Sequence, residues 1–281
     1  MNLSRGAASI FVPDGGPEGE ALARTSHLGI GAHPDDLEIM ALHGIGTCHT
    51  SRERWFSGVI VTDGRTSPRR GRYADVSDDA MVKLRLDEQK RAAELGDYSA
   101  LVALAFTSAE IKDRQNAALI ADLAAVIAAT KPDVVYTHNL FDAHATHVAV
   151  ALHTIAAIRT LAEADRPRAL YGGEVWRGLD WLPPAHRIEL DVSEYQALGQ
   201  KLVALFDSQI AGGKRYDLAT AGRKVAHATF SEPRVTDAAL AVELVMDLTP
   251  LVRDPSLAVD AFAAAVIADA TRAMKEPLAW K

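Results

Sequence analysis

The 281-residue sequence predicts an α/β fold with a Rossmann-like, mostly parallel sheet flanked by helices. From Thr25 onward short apolar runs alternate with longer helix-like stretches, the order that lays a parallel sheet under helices. No internal repeat, low-complexity linker or composition shift divides the chain. The expected organisation is therefore an N-terminal arm at residues 1–24 and a single domain at 25–281.

Strands are expected at Ser26–Gly31, Trp55–Thr62, Leu101–Phe106 and Asp133–Thr137, each with β-branched or aromatic residues and a polar or glycine boundary. Tyr171–Trp176 and Arg187–Val192 extend the sheet. The clearest helix runs from Asp78 to Leu95. Met81, Leu84, Leu86, Ala92 and Leu95 form its apolar face, two aspartates favour its positive end, and Gly96 stops it. A second helix, Asn116–Thr130, ends before Lys131-Pro132, where proline disfavours continuation. A third follows His144 and runs to about Leu161. Ser193 is placed as the cap of a fourth, with Gln196 at the capping-box position, and the C-terminal quarter reads as helices.

Hydrophobic residues at 48%, charged residues at 24% and no stretch of about 20 apolar residues describe a globular protein without a membrane span. The first twenty residues lack the basic start and apolar run of a secretory signal, and a lone cysteine, Cys48, forms no internal disulfide, so the cytoplasm is the expected compartment. A net charge of −7 argues against nucleic acid and leaves a small molecule as the expected partner. Assembly of several copies is compatible with the sequence.

Two clusters carry chemistry. Gly31-Ala32-His33-Pro34-Asp35-Asp36-Leu37-Glu38 directly follows the first expected strand, where an open α/β sheet places its ligands. Pro34 suits the first turn of a helix, which puts Asp35 and Asp36 at that helix's N-terminus, pointing in different directions. One carboxylate can then join His33 on a metal while the other serves as general base. The second cluster, Thr137 through His147, again follows a strand and opens a helix, with His144 and His147 at spacing i, i+3 on one face. Together they offer two imidazoles and a carboxylate for a metal, plus a spare carboxylate and a spare imidazole, and catalytic zinc commonly takes three protein ligands and leaves a position for water. Amide hydrolysis is the natural reaction. No Gly-x-Gly-x-x-Gly follows the first strand, which argues against a dinucleotide site.

These residues resemble the LmbE or PIG-L-like zinc deacetylases, with their Ala-His-Pro-Asp-Asp segment and later His-x-x-His. The likeness extends more weakly to Arg85-x-x-Glu88, Leu95-Gly96 and Ser208-Gln209. The resemblance implies a Zn²⁺ cofactor, with Fe²⁺ a competing ion, held by His33, Asp36 and His147. It implies Asp35 as general base and His144 as the group that stabilises the oxyanion and protonates the leaving amine. The implied substrate is an N-acetylglucosamine-like amino sugar that loses its N-acyl group, with Arg85 as a substrate contact; Asp142 is a second candidate contact. Alternatives are an amidase acting on amino-sugar thiol conjugates and a zinc-dependent sugar-binding protein without catalysis.

The sequence departs from the family pattern at three points. Thr146 replaces an acidic residue that would orient His144, a role open to Asp142. Arg65 opens a basic loop with Arg69, Arg70 and Arg72, either a solvated surface or a hint of an anionic substrate. Thr107-Ser108-Ala109-Glu110 replaces Pro-Asp-Gly. His138 and Asp142 either orient ligands or bond loop backbone. Arg85 and Glu88 equally make an i, i+3 ion pair. His27, His43, His49, His153, His186 and His227 read as structural or surface histidines, Cys48 as a small buried hydrophobe, and Trp176 and Trp181 as packing residues rather than a sugar wall.

Overall fold

The computed structural model describes residues 1–229 and 234–279. Its eight strands are β1 (Ser9–Phe11), β2 (His27–Gly31), β3 (Phe56–Thr62), β4 (Ala100–Phe106), β5 (Val134–His138), β6 (Ala169–Gly173), β7 (Arg187–Asp191) and β8 (Val242–Asp247). They form one sheet in the order β1-β4-β3-β2-β5-β6-β8-β7. β2 pairs in parallel with β3 and β5, and the parallel pairing continues to β4 and β6; β1 runs antiparallel to β4, and β8 antiparallel to β6 and β7.

The helices are α1 (Glu18–Ala23), α2 (Asp36–Met40), α3 (Leu42–His49), α4 (Asp78–Leu95), α5 (Ser108–Lys112), α6 (Ala117–Thr130), α7 (Ala145–Thr160), α8 (Gln196–Ala204), α9 (Asp207–Ile210), α10 (Tyr216–His227), α11 (Thr249–Arg253) and α12 (Val259–Lys275). Strand alternation splits the core in two. Leu28, Ile30, Val59, Val61, Val102 and Leu104 face one hydrophobic cluster with α1, α6, α7, α11 and α12, whereas Phe56, Ile60 and Leu101 face another with α2, α3, α4 and α8. Helices thus cover both faces, which a largely parallel sheet requires.

Three expectations change. Residues 1–24 are tied down rather than loose: β1 extends the sheet beside β4, and α1 buries Ala21 and Leu22. The C-terminal quarter contributes β8, a strand inside the sheet. Its approach, Asp237 to Ala241, is alanine-rich, and Val245 breaks the alternation of Val242, Leu244 and Met246 by facing the opposite core. Ser193 does not cap a helix, because α8 begins at Gln196; its hydroxyl instead accepts the Leu240 and Ala241 N–H groups that lead into β8.

The chain leaves β2 toward β3 and β4, then returns to place β5 on β2's other edge. That reversal opens a crevice beyond the carboxyl ends of β2 and β5, where open α/β sheets bind ligands. No helix among the described residues is long and apolar enough to cross a membrane.

Candidate metal centre

The crevice is lined by the loop after β2 and the loop after β5. Asp36 opens α2, and a Cβ on Gly31 would come within 3.1 Å of the Asp36 Cβ, so the glycine permits this close approach of strand and helix. Pro34 lies before the helix instead of in its first turn. The two carboxylates diverge because Asp35 adopts the left-handed conformation with φ 96°, an uncommon state for a non-glycine residue and a strain that the surroundings must hold. Gln89 accepts the Asp35 N–H at 3.1 Å, and Arg85 donates to Pro34 O and, at 3.1 Å, to Asp35 Oδ2.

His33, Asp36 and His147 converge. His33 Nδ1 lies 3.1 Å from His147 Nε2 and 3.4 Å from Asp36 Oδ2, and His147 Nε2 lies 3.6 Å from Asp36 Oδ2. A tetrahedral zinc with ligands at its usual bond lengths has edges of about 3.3 Å, so three donor atoms already stand at coordination spacing. Two overlapping groups of ligand atoms meet here, His33–His144–His147 and Asp36–His138–His147. His138 is turned from ligand duty because its Nε2 accepts the Ala32 N–H at 2.9 Å. Fully buried, it stacks on His147 with ring centroids 4.0 Å apart. His144, edge-on to His33 at 5.0 Å, stands beside the triangle, and its Nδ1 has no hydrogen-bond partner among the described residues.

The electrostatics follow from burial among charges. Burial alone would raise the Asp36 carboxyl, but His147, His138 and His33 hold it well below its usual range. Burial pushes Asp35 up to about 6, against the pull of Arg85 and with the push of Asp36. His147 resists the downward effect of burial and is raised by Asp36 and Asp142. His144 is driven down to about 4 by burial and then by its neighbours His147 and His33.

Asp142 Oδ2 sits 3.0 Å from His147 Nδ1, and its Oδ1 accepts the His144 backbone N–H at 2.8 Å. The expectation of a substrate contact gives way to this place behind His147, and the His144 ring receives no help from Asp142. Thr146, whose buried hydroxyl has no partner among the described residues, supplies none either. Arg85, 1% exposed, sits between Asp35 and Glu88 and contributes to the cavity wall. Glu88 in turn binds Ser208 through its backbone N–H and its hydroxyl, both at 2.7 Å.

The cavity over the triangle measures 450 Å³ and includes Trp176, Lys112, Lys214 and Tyr216 in its wall. Trp176 therefore faces the site, whereas Trp181 packs against Phe141. A larger cavity of 580 Å³ lies beside Pro34 under Ser4–Ala7; it contains neither the triangle nor Asp35, so the chemistry belongs to the smaller one. Sequence reading missed Gln89, Lys112, Lys214 and Tyr216, which sit outside both motifs and carry no diagnostic spacing. Of the histidines set aside, His27 and His153 are buried, and His186 and His227 approach Asp269 and Asp180. Cys48 is buried as expected.

The profile of the family described as PIG-L, GlcNAc-PI de-N-acetylase, matches residues 28–158, which contain both clusters. No curated protein sequence matches the chain. Among solved structures, N,N'-diacetylchitobiose deacetylase from Pyrococcus horikoshii superposes with TM-score 0.63 at 14% identity over 88% of this chain and 92% of its own. A conserved protein from Thermus thermophilus gives 0.63 at 16% over 84% and 100%. The 4-carboxy-2-hydroxymuconate hydratase from Pseudomonas putida gives 0.60 at 18% over 80% and 96%. Such identities establish a shared fold, and a fold that hosts different reactions leaves the activity to be argued from the site. Both motif clusters lie inside the segment that matches the PIG-L family model, residues 28–158, and they meet on one crevice.

Proposed function

We propose that the protein is a metal-dependent N-deacetylase that hydrolyses the N-acyl group of an amino-sugar substrate, with Zn²⁺ held by His33, Asp36 and His147. The observation that carries the reading is the donor triangle at 3.1, 3.4 and 3.6 Å beside a separate buried carboxylate, Asp35. The match of residues 28–158 to the PIG-L family model supports the reaction type, and the chitobiose deacetylase with the same fold supports an amino sugar. A divalent ion in the triangle supplies acidification of water and polarisation of the acyl carbonyl.

Asp35 takes a proton from the water as its oxygen bonds to the acyl carbon. It returns that proton to the nitrogen as the C–N bond breaks, leaving a carboxylate and an amine. Arg85 fixes the Asp35 carboxylate and offsets its burial. Burial and two neighbouring imidazoles keep His144 neutral, so its ring donates a hydrogen bond to the developing oxyanion, and the amine proton comes from Asp35. Trp176 presents an aromatic wall to the sugar.

The test is release of free amine and carboxylate from N-acetylated amino sugars by zinc-loaded protein, with iron(II)-loaded protein in parallel. Equimolar appearance of both products is expected. Ligand binding with no amine from any such amide contradicts the assignment.

A further inference from the structure

Glu38 closes the first motif cluster yet takes no part in the donor triangle. It lies in α2, two residues past Asp36, and is fully buried; its Oε1 accepts both the Tyr98 hydroxyl and the Gln89 side-chain amide, each at 2.7 Å. Its Oε2 has no hydrogen-bond partner among the described residues. An apolar residue of similar volume would fill this position without the cost of burying a carboxyl. Tyr98 is itself fixed: its ring packs edge-on against Phe56 at 4.7 Å, and a Cβ on Gly96 would come within 2.6 Å of it.

Gln89 carries the link onward. Its Nε2 donates to Glu38, so its Oε1 faces the other way and accepts the Asp35 backbone N–H at 3.1 Å. That N–H can only donate and Glu38 offers an oxygen, so one orientation of the Gln89 amide satisfies both ends and the flipped one satisfies neither. Arg85 and Gln89 stand one turn apart on the same face of α4, and between them they grip the Asp35 carboxylate and the Asp35 backbone. Asp35 is the residue that needs such a grip: its φ of 96° is a left-handed state that a non-glycine residue keeps only when its surroundings hold it.

We propose that Glu38 and Gln89 are positioning residues for Asp35: Glu38, steadied by Tyr98, fixes the Gln89 amide, which holds the left-handed turn and so the direction in which the Asp35 carboxylate meets the attacking water. The inference rests on the hydrolase reading above and adds to it two residues that do not line the cavity over the triangle. A general base must stand within hydrogen-bond reach of the proton it takes, and a displacement of about 1 Å costs about a hundredfold in rate. Arg85 holds the carboxylate through Oδ2 alone, which leaves the backbone end to Gln89.

The experiment follows Asp35 in two ways in Gln89→Met, Glu38→Met, their double variant and Glu38→Gln, with urea midpoints establishing that each is folded. Hydrogen exchange of the Asp35 amide, read by NMR on metal-free protein, requires no turnover. It is expected to accelerate by about tenfold or more in both methionine variants, and to stay near the parent rate in Glu38→Gln, which keeps an acceptor oxygen. In steady-state amine release by zinc-loaded protein, kcat is expected to fall by about ten- to a hundredfold in Gln89→Met and by about tenfold in Glu38→Met, with KM and metal content unchanged. Glu38→Gln recovers most of that loss, and the double variant is no slower than Gln89→Met, because Glu38 acts through Gln89. Losses that multiply in the double variant, parental exchange and kcat in the methionine variants, or a raised KM at constant kcat overturn the proposal. Should Glu38→Met not fold, Tyr98→Phe takes its place: exchange faster by about threefold supports the proposal, and parental exchange overturns it. If no amide yields amine, the hydrolase reading fails separately, and the exchange rates still decide whether these residues hold the turn.

Discussion

Arg85 Nη2 donates to Asp35 Oδ2 at 3.1 Å while its Nη1 faces Glu88 Oε2 at 3.3 Å, and all three side chains are buried. The guanidinium therefore works between two carboxylates, one at the reacting end and one anchored on Ser208. Arg85→Ala leaves both acids buried without a cation, a change that costs about 3–5 kcal/mol of stability. Arg85→Lys preserves the charge but not the fork, and is expected to fold and to lose kcat by one to two orders of magnitude with little change in KM, in steady-state assays. A rise in KM at constant kcat would instead return Arg85 to the substrate-binding role that the family resemblance implies.

Asp142 stands 3.0 Å behind His147 Nδ1, so on the proposed metal-site reading it would act through that imidazole. Asp142→Asn is expected to weaken metal affinity by about 10- to 100-fold, read by competition with a chelating dye, with activity recovering as metal is added. Unchanged affinity with a raised KM would move Asp142 to the substrate.

His27, at the other end of β2 from His33, sets part of the acid stability. Burial, then His43, pushes its imidazole down from 6.5 to about 4, so the folded chain prefers it neutral while the unfolded chain lets it charge. Its contribution is complete above pH 6.5 and is lost as pH falls toward 4, on the order of 3 kcal/mol. Urea midpoints of His27→Gln should fall less steeply than those of the parent between these values; parallel slopes would refute the assignment.

Ser193 ties the start of β8 to the turn before α8. Ser193→Ala removes the acceptor for two backbone N–H groups and is expected to cost about 1–2 kcal/mol in denaturant melts, with hydrogen exchange accelerated first at Leu240 and Ala241.

What the sequence made legible was local. The bounds of α4 follow from two aspartates and Gly96, and the ends of β2 and β5 follow from apolar runs stopped by polar motifs. The histidine and aspartate clusters could be expected to meet because both follow strands. Contacts set by tertiary packing stayed hidden. The left-handed turn at Asp35 is held by Gln89 and Arg85 from α4, 54 and 50 residues away. β8 was obscured by alanines and by a valine that faces the second core. The lysines at the cavity wall belong to no motif, whereas the more conspicuous Arg65, Arg69 and Arg72 are bound by nearby aspartates.

The central claim is that one triangle of residues holds the metal while Asp35 moves the proton. Metal content and amine release measured together on Asp35→Asn and His147→Ala address it most directly. The account predicts near-stoichiometric metal with turnover reduced by at least about a thousandfold in Asp35→Asn, and loss of both in His147→Ala. Full turnover by Asp35→Asn, or undiminished metal in His147→Ala, would contradict it.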